Sequence, residues 1–463
     1  MMNTTTNALR SAKPFGWKDR LSYMMGDLGN DFTFIMMAAF LMLFYTEVLK
    51  IAPAMAGLIL VGARVWDAFA DVTAGLFIDA RKPGKWGKFR PFLIFGALPV
   101  TIMGVLTFTQ IPGLTPEMTV VWAAATYILW GTAYSFINIP YGSLASVVTE
   151  DPVHRTSLST WRNIGALVAN STITAVAPLF IFANGGKPTA AGFLTVMILF
   201  TVAAVVSYLL AWAGSTERIP AAKAPKLEIR KSLKGLIRNR PLIGLMLTSF
   251  SLLIAQLTTS TLNAYLFKDF FANPKLVSLV GPVTLTSTVL VILGIQFLVK
   301  RIGKKETAVI GISVSALFYF VQFLFPVHDP YIFLGLLFVS LVGLAMLNVL
   351  IWALVADAID YQELLTHKRE EGIVYSLYSF MRKMGQAVAG GFGAFVLASV
   401  GYVSGAATQN AQVANGVRDA VTLIPAVCMT ISLVCLLFVY NLSKPKLAKM
   451  VEELHTSREE RGL

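Results

Sequence analysis

Ionisable side chains set inside long apolar stretches are the residues here with chemistry to do. Asp31, in the motif GDLGNDF, stands about ten residues into an apolar run, roughly 15 Å deep at ~1.5 Å per helical residue. Arg64, Asp67 and Asp71, in ARVWDAFAD, follow at spacings of three and four, which stacks them on one helix face. Arg162 opens a fifth apolar run after GSLASVVTEDPVHR, the stretch that carries Arg155. Lys383 lies about twelve residues beyond Glu370-Glu371, roughly 18 Å into an eleventh run. A charge at the bilayer centre costs several kcal/mol unless it meets a partner or a water-filled cavity, so this face is expected to look inward. Carboxylates so placed bind Na⁺ directly or take up a proton. A Lys or Arg beside them pairs when the cation is away, so that ion binding biases two access states. The plainer reading of the same charges is a set of internal ion pairs that staples helices together.

A second polar run, Asp357, Asp360 and Glu363 followed by Arg369 and Glu371, repeats the spacing of three near the inner end of a tenth run. Its place suggests gating and interhelix salt bridges, with Arg64 and Arg155, rather than substrate contact. Aromatics and amides fit to stack on and hydrogen-bond a sugar are Tyr134, Asn138, Tyr141, Asn263, Asn348, Trp352, Tyr375 and Tyr378. The run Asn138-Ile139-Pro140-Tyr141-Gly142 is expected to interrupt its helix, which membranes tolerate only where backbone lines protein or a cavity.

The elements that must position these groups are membrane helices. Of 463 residues, 56% are hydrophobic and only 14% charged, against about 25% charged in an ordinary soluble domain. About twelve runs reach the ~20 apolar residues a span needs: 21–48, 55–78, 90–111, 118–148, 160–183, 191–213, 241–268, 277–299, 307–326, 331–362, 373–401 and 419–441. The net charge of +13 does not indicate nucleic acid, because Lys and Arg sit in short loops between apolar runs. They gather at 10–20, 81–90, 215–240, 300–305 and beyond 444, so both termini are expected on the cytoplasmic side. No cleavable signal is expected, since the first ~20 residues are polar and basic. Cys428 and Cys435 lie in one apolar run and read as small hydrophobes.

The expected fold class is an all-α membrane protein of twelve transmembrane helices, divided as 1–214, a cytoplasmic connection 215–240, 241–442 and a cytoplasmic tail 443–463. The loops DARKPGKWGKFR at 79–90 and KRIGKK at 300–305 fall at matching places, which suggests two six-helix halves around a midplane site.

These motifs resemble the glycoside–pentoside–hexuronide:cation symporters, a family of the major facilitator superfamily. The resemblance rests on GDLGNDF, ARVWDAFAD, KWGKFRPF, NIPYGSLA, RIGKKETAVIG and WALVADAIDYQELLTHKREEGIVYSLYSFMRKMGQA, and covers nearly the whole chain. It implies the major facilitator fold, with Asp67 and Asp71 holding the coupling cation, Ser135 near it and Lys383 in the charge network. It also implies Asp31 and Arg162 on sugar hydroxyls, with Asn30, Asn138, Tyr134, Tyr141, Trp352 and Tyr378 completing the substrate site. Where melibiose carriers have a Lys, an acid and a Trp, this sequence has Asn30, Asn138 and Gly142. The loss of a carboxylate and a stacking face argues against a galactoside pocket and favours H⁺ over Na⁺ or Li⁺.

The expectation is therefore an inner-membrane importer of a pentoside or glucuronide, coupled to H⁺, with no cofactor. Its partners would be the glycoside and lipid, and it would be a monomer, with a dimer as the alternative. An Na⁺-coupled galactoside carrier and an intramembrane Mg²⁺-dependent transferase built on Asp67-x₃-Asp71 are the competing readings.

Overall fold

Prolines and side-chain caps start the helices. Pro53 occupies the first turn of α2, and Thr115 accepts from the Met118 N–H at 3.3 Å ahead of Pro116. Thr189, Asn239 and Asn410 accept in the same way from Gly192, Leu242 and Val413. Each cap meets a backbone donor that has no partner inside its helix. In a computed structural model the described residues are 14–149, 151–183, 185–219, 238–366, 371–406 and 408–460. They form α1 (Trp17–Leu43), α2 (Pro53–Ala80), α3 (Arg90–Phe95), α4 (Ala97–Thr107), α5 (Pro116–Val148), α6 (Pro152–Ile181) and α7 (Ala190–Gly214). After the middle connection come α8 (Arg240–Tyr265), α9 (Val280–Ile302), α10 (Lys304–Leu324), α11 (Pro330–Thr366), α12 (Glu371–Ser399), α13 (Ala411–Val434) and α14 (Lys444–Glu460).

Ten helices among the described residues are long and apolar enough to cross a membrane. The two remaining runs of the expected twelve are α2 and α12, 28 and 29 residues long. Their length suffices to span, but these are the helices that carry Arg64, Asp67 and Asp71, and Arg382 and Lys383.

The third run forms one candidate span, Arg90–Thr107, in which α3 gives way to α4 at Gly96. Pro99 has no N–H to give the Phe95 carbonyl, and Gly96 packs directly on Ile137. Two local expectations are corrected. The fourth run is not interrupted, because α5 continues through Pro140, which is buried. The fifth starts at Pro152, so Arg162 sits about ten residues, roughly 15 Å, inside α6 rather than at its mouth.

The chain divides into two compact units. The first comprises Met1–Pro225, Asn273–Gly281 and Gly401–Thr408, and the second Lys226–Ala272, Pro282–Val400 and Gln409–Leu463. In the first, α1 packs on α6 and α7, α2 on α5, and α4 on α5 and α7; in the second, α8 packs on α12 and α13, and α10 on α11 and α13. Within the first unit the 401–408 segment is tied down by Tyr402, whose hydroxyl donates to Glu47 Oε1 at 2.7 Å, and by Ser404, which donates to the Ile51 carbonyl at 2.8 Å.

The two units repeat one local design. Helices α1 and α8 each end in a π turn, Phe44–Val48 and Leu266–Phe270, with an acid in its fourth place, Glu47 and Asp269. Two residues past each turn stand Lys50 (φ 57°) and Ala272 (φ 50°), the non-glycine residues with positive φ among those described. Side chains rarely adopt that conformation, so its recurrence at matched positions marks a common template.

Candidate functional site

Helix α1 carries the centre of the charged cluster in the first unit. Gly26 lets Tyr141 of α5 come against α1, since a Cβ there would fall on the tyrosine ring. That ring is fully buried, stacks on Tyr23 at 4.7 Å between centroids and donates its hydroxyl to the Tyr23 carbonyl at 2.7 Å. Tyr141 is therefore a fixed bed rather than the open sugar-stacking face expected of it. Over it, at 5.5 Å, lies the guanidinium of Arg162, whose Nε donates to Asp27 Oδ1 at 2.9 Å. Asp31 is one turn further along α1, within the electrostatic reach of Asp27 and Arg162, and makes no hydrogen bond or close ion pair among the described residues.

An amide bridge flanks these charges. Asn30 is buried, accepts from the Tyr208 hydroxyl of α7 at 3.0 Å and donates weakly to Asn138 Oδ1 at 3.4 Å. With Tyr208 and Asn138 attached, Asn30 links α1 to α5 and α7 and orients Asn138.

A second cluster joins α2 to α5. Arg64 donates to Asp67 Oδ2 at 3.2 Å and lies 5.5 Å over the Phe34 ring, which stacks on Tyr134. The other oxygen of Asp67 is buried without a hydrogen-bond partner and presses on Gly131, where a Cβ would overlap it. Ser135, one turn on, is buried and donates to the Gly131 carbonyl at 3.2 Å. Asp71 lies a turn beyond Asp67, within its field. No group of three or more His, Cys, Asp or Glu able to hold a metal ion occurs among the described residues.

The second unit contributes an aromatic cluster. Trp352 stacks on Tyr375 and meets Tyr378 edge-on, with the Arg382 guanidinium 5.7 Å above its ring. Trp352 keeps an exposed face, whereas Tyr378 is fully buried and accepts from Ser249 at 2.6 Å, so its hydroxyl is committed to packing. Lys383 follows on the exposed side of α12. Lower in the unit, Lys304 of α10 pairs with Asp357 of α11 at 2.5 Å, while Asp360 and Glu363 make further contacts. Arg155 makes no salt bridge among the described residues: as α6 begins, its side chain turns back to the carbonyls of Ser146 and Thr149 at the end of α5. Arg369 lies outside the described residues.

Asp27 and Tyr208 were not singled out from the sequence. Asp27 was there to be found, four residues before Asp31 on the same helix face, and a mid-span Arg162 demands a counter-charge. Nothing in the sequence marks Tyr208, whose role follows from α7 packing on α1.

Charged and amide side chains held between long apolar helices, in units of one repeated design, define a membrane transporter of the major facilitator type. The sequence model of the family described as "MFS/sugar transport protein" matches residues 22–444. The chain is 35% identical to the glucuronide carrier protein homolog of Escherichia coli (strain K12) over 445 residues, covering 95% of each. It is 32% identical to the isoprimeverose transporter of Lactiplantibacillus pentosus over 446 residues, 95% of this chain and 92% of that one. In fold it matches a solved structure of a D-xylose-proton symporter with a TM-score of 0.66 at 14% identity, over 92% of this chain and 98% of the other. The chain belongs to the glycoside–pentoside–hexuronide:cation symporter family of the major facilitator superfamily. It is thus a membrane-inserted sugar transporter and not an enzyme.

Proposed function

We propose that the chain imports a pentoside- or glucuronide-type glycoside together with H⁺ by alternating access, as a monomer of the inner membrane with twelve spans and both termini in the cytoplasm. The observation that carries the reading is the pair of clusters in the first unit. One has a guanidinium with a free edge beside an unpaired Asp31, and the other has Asp67 with one oxygen paired to Arg64 and one unpartnered. The first offers donors and acceptors for sugar hydroxyls. The second is a carboxylate whose pairing changes when it takes a proton, the kind of two-way contact that lets an ion bias a conformational equilibrium. Asn138, standing where melibiose carriers have an acid, leaves one carboxylate fewer near Asp67 and Asp71, which favours a proton over Na⁺. Relatives whose names specify a glucuronide and isoprimeverose support the substrate class. Counting α2 and α12 as spans supports twelve.

The test uses right-side-out vesicles with an imposed proton gradient and a labelled glycoside panel. Uptake against the gradient should collapse with a protonophore and persist without Na⁺. In Asp67→Asn and Asp71→Asn, accumulation should disappear while glycoside exchange remains within about tenfold of wild type. Full accumulation in either variant removes that residue from coupling. An absolute Na⁺ requirement would favour the Na⁺-coupled reading.

A further inference from the structure

We propose that Asp27 sets the charge class of the glycoside. By standing as the resident counter-ion of Arg162, it makes the site select electroneutral sugars over those bearing a carboxylate or sulfonate. The inference rests on the reading of this cluster as the sugar site.

The geometry fixes which part of Arg162 a ligand meets. Its Nε is taken by Asp27, whose side chain is only 5% exposed, while 43% of the Arg162 side chain is open. Tyr141 beneath it has no freedom to move, being stacked on Tyr23 and bonded to its carbonyl. The guanidinium is thereby held with Nε inward and its Nη edge outward. That edge is a two-donor fork, equally able to grip vicinal hydroxyls or an oxyanion.

Charge separates the two. Asp27 already compensates the guanidinium, and Asp31, one turn away, is a second acid without a close cationic partner. The neighbouring side chains of α5 and α7, Tyr134, Asn138, Tyr141 and Tyr208, bring no positive charge. The other guanidinium of the unit's charged face, Arg64, is committed to Asp67. An anionic ligand on the Nη edge would therefore find no uncompensated positive charge to offset its burial. A neutral diol needs none, and its hydroxyls accept from Arg162 and donate to Asp31 together. The group that decides this is Asp27, since without its charge Arg162 becomes an uncompensated cation with its fork free for an anion.

The experiment measures binding of two probes to the purified full chain in lipid nanodiscs: p-nitrophenyl β-D-xyloside and p-nitrophenyl β-D-glucuronide. They differ only by a carboxylate in place of one hydrogen on C5. Wild type should bind the xyloside at least about tenfold more tightly. Asp27→Asn should move the affinity ratio about tenfold or more toward the glucuronide, while Asp27→Glu, which keeps the charge, should retain the wild-type order. A general packing role would weaken both probes alike and leave the ratio unchanged, which would overturn the inference. So would a wild-type preference for the glucuronide, an outcome that stands even if Asp27→Asn fails to fold and leaves the transport reading intact. If neither probe nor the matching glucoside and galactoside binds, the sugar-site reading falls as well.

Discussion

Asp67 owes its position to the absence of a side chain. Its free oxygen rests on Gly131, and a methyl group at that position would occupy the same space. Gly131→Ala would raise intrinsic helix propensity by about 1 kcal/mol, yet must expel the carboxylate from α5. The variant should therefore fold with an undiminished unfolding temperature and lose at least about tenfold in proton-driven accumulation. Unimpaired accumulation in vesicles would show that the contact does not position Asp67. At this scale the sequence told much. Charged residues in apolar runs stand out whatever the fold, so Asp31, Arg64, Asp67 and Lys383 were legible from type and place, and Arg162 from type. The partner assignments were not, because pairing across helices depends on which faces meet. For that reason Asp27 passed unnoticed beside Asp31, and Tyr141 and Tyr378 were read as open rings although both are buried.

Element boundaries followed the same division. Apolar runs located the helices, but Pro140 misled. A proline inside a helix sacrifices one hydrogen bond, and α5 bears this because its flanks pack along α2 and α4. Helix starts in the loops also depend on distant groups. The first turn of α3 is capped by Glu217, some 127 residues away, which accepts from the N–H groups of Lys88, Phe89 and Arg90 at 2.7–2.8 Å. Its neighbour Arg218 forms a forked pair with Asp19, both bonds 2.9 Å long. Glu217→Ala leaves three donors without their acceptor and should cost about 2 kcal/mol, while Glu217→Gln, still an acceptor, should cost less than half of that. Thermal unfolding in detergent checks both, and equal losses would mean that charge rather than hydrogen bonding sets the effect.

For the molecule as a whole, composition alone identified lipid as the solvent, and loop charges proposed an orientation. The buried Cys428 and Cys435 leave a low background for labelling with a membrane-impermeant maleimide. In intact cells Lys187→Cys should label and Lys85→Cys should not, with the order reversed in inside-out vesicles. Labelling of Lys85→Cys from outside would invert the topology. The duplicated design was only hinted at by two basic loops, because duplicated halves keep backbone geometry long after their side chains diverge. The left-handed residues after the paired π turns reveal it far more directly.

Those twin landmarks let the halves be aligned residue by residue. Counted back equally from Lys50 and Ala272, Asp27 corresponds to Ser249, and each side chain reaches the fifth helix of its own half, Arg162 in one and Tyr378 in the other. The joint is ionic in one half and neutral in the other. Polarity is thus asymmetric where the local design is shared, so replacements at the neutral joint alter packing in the second unit and leave the charges around Arg162 untouched.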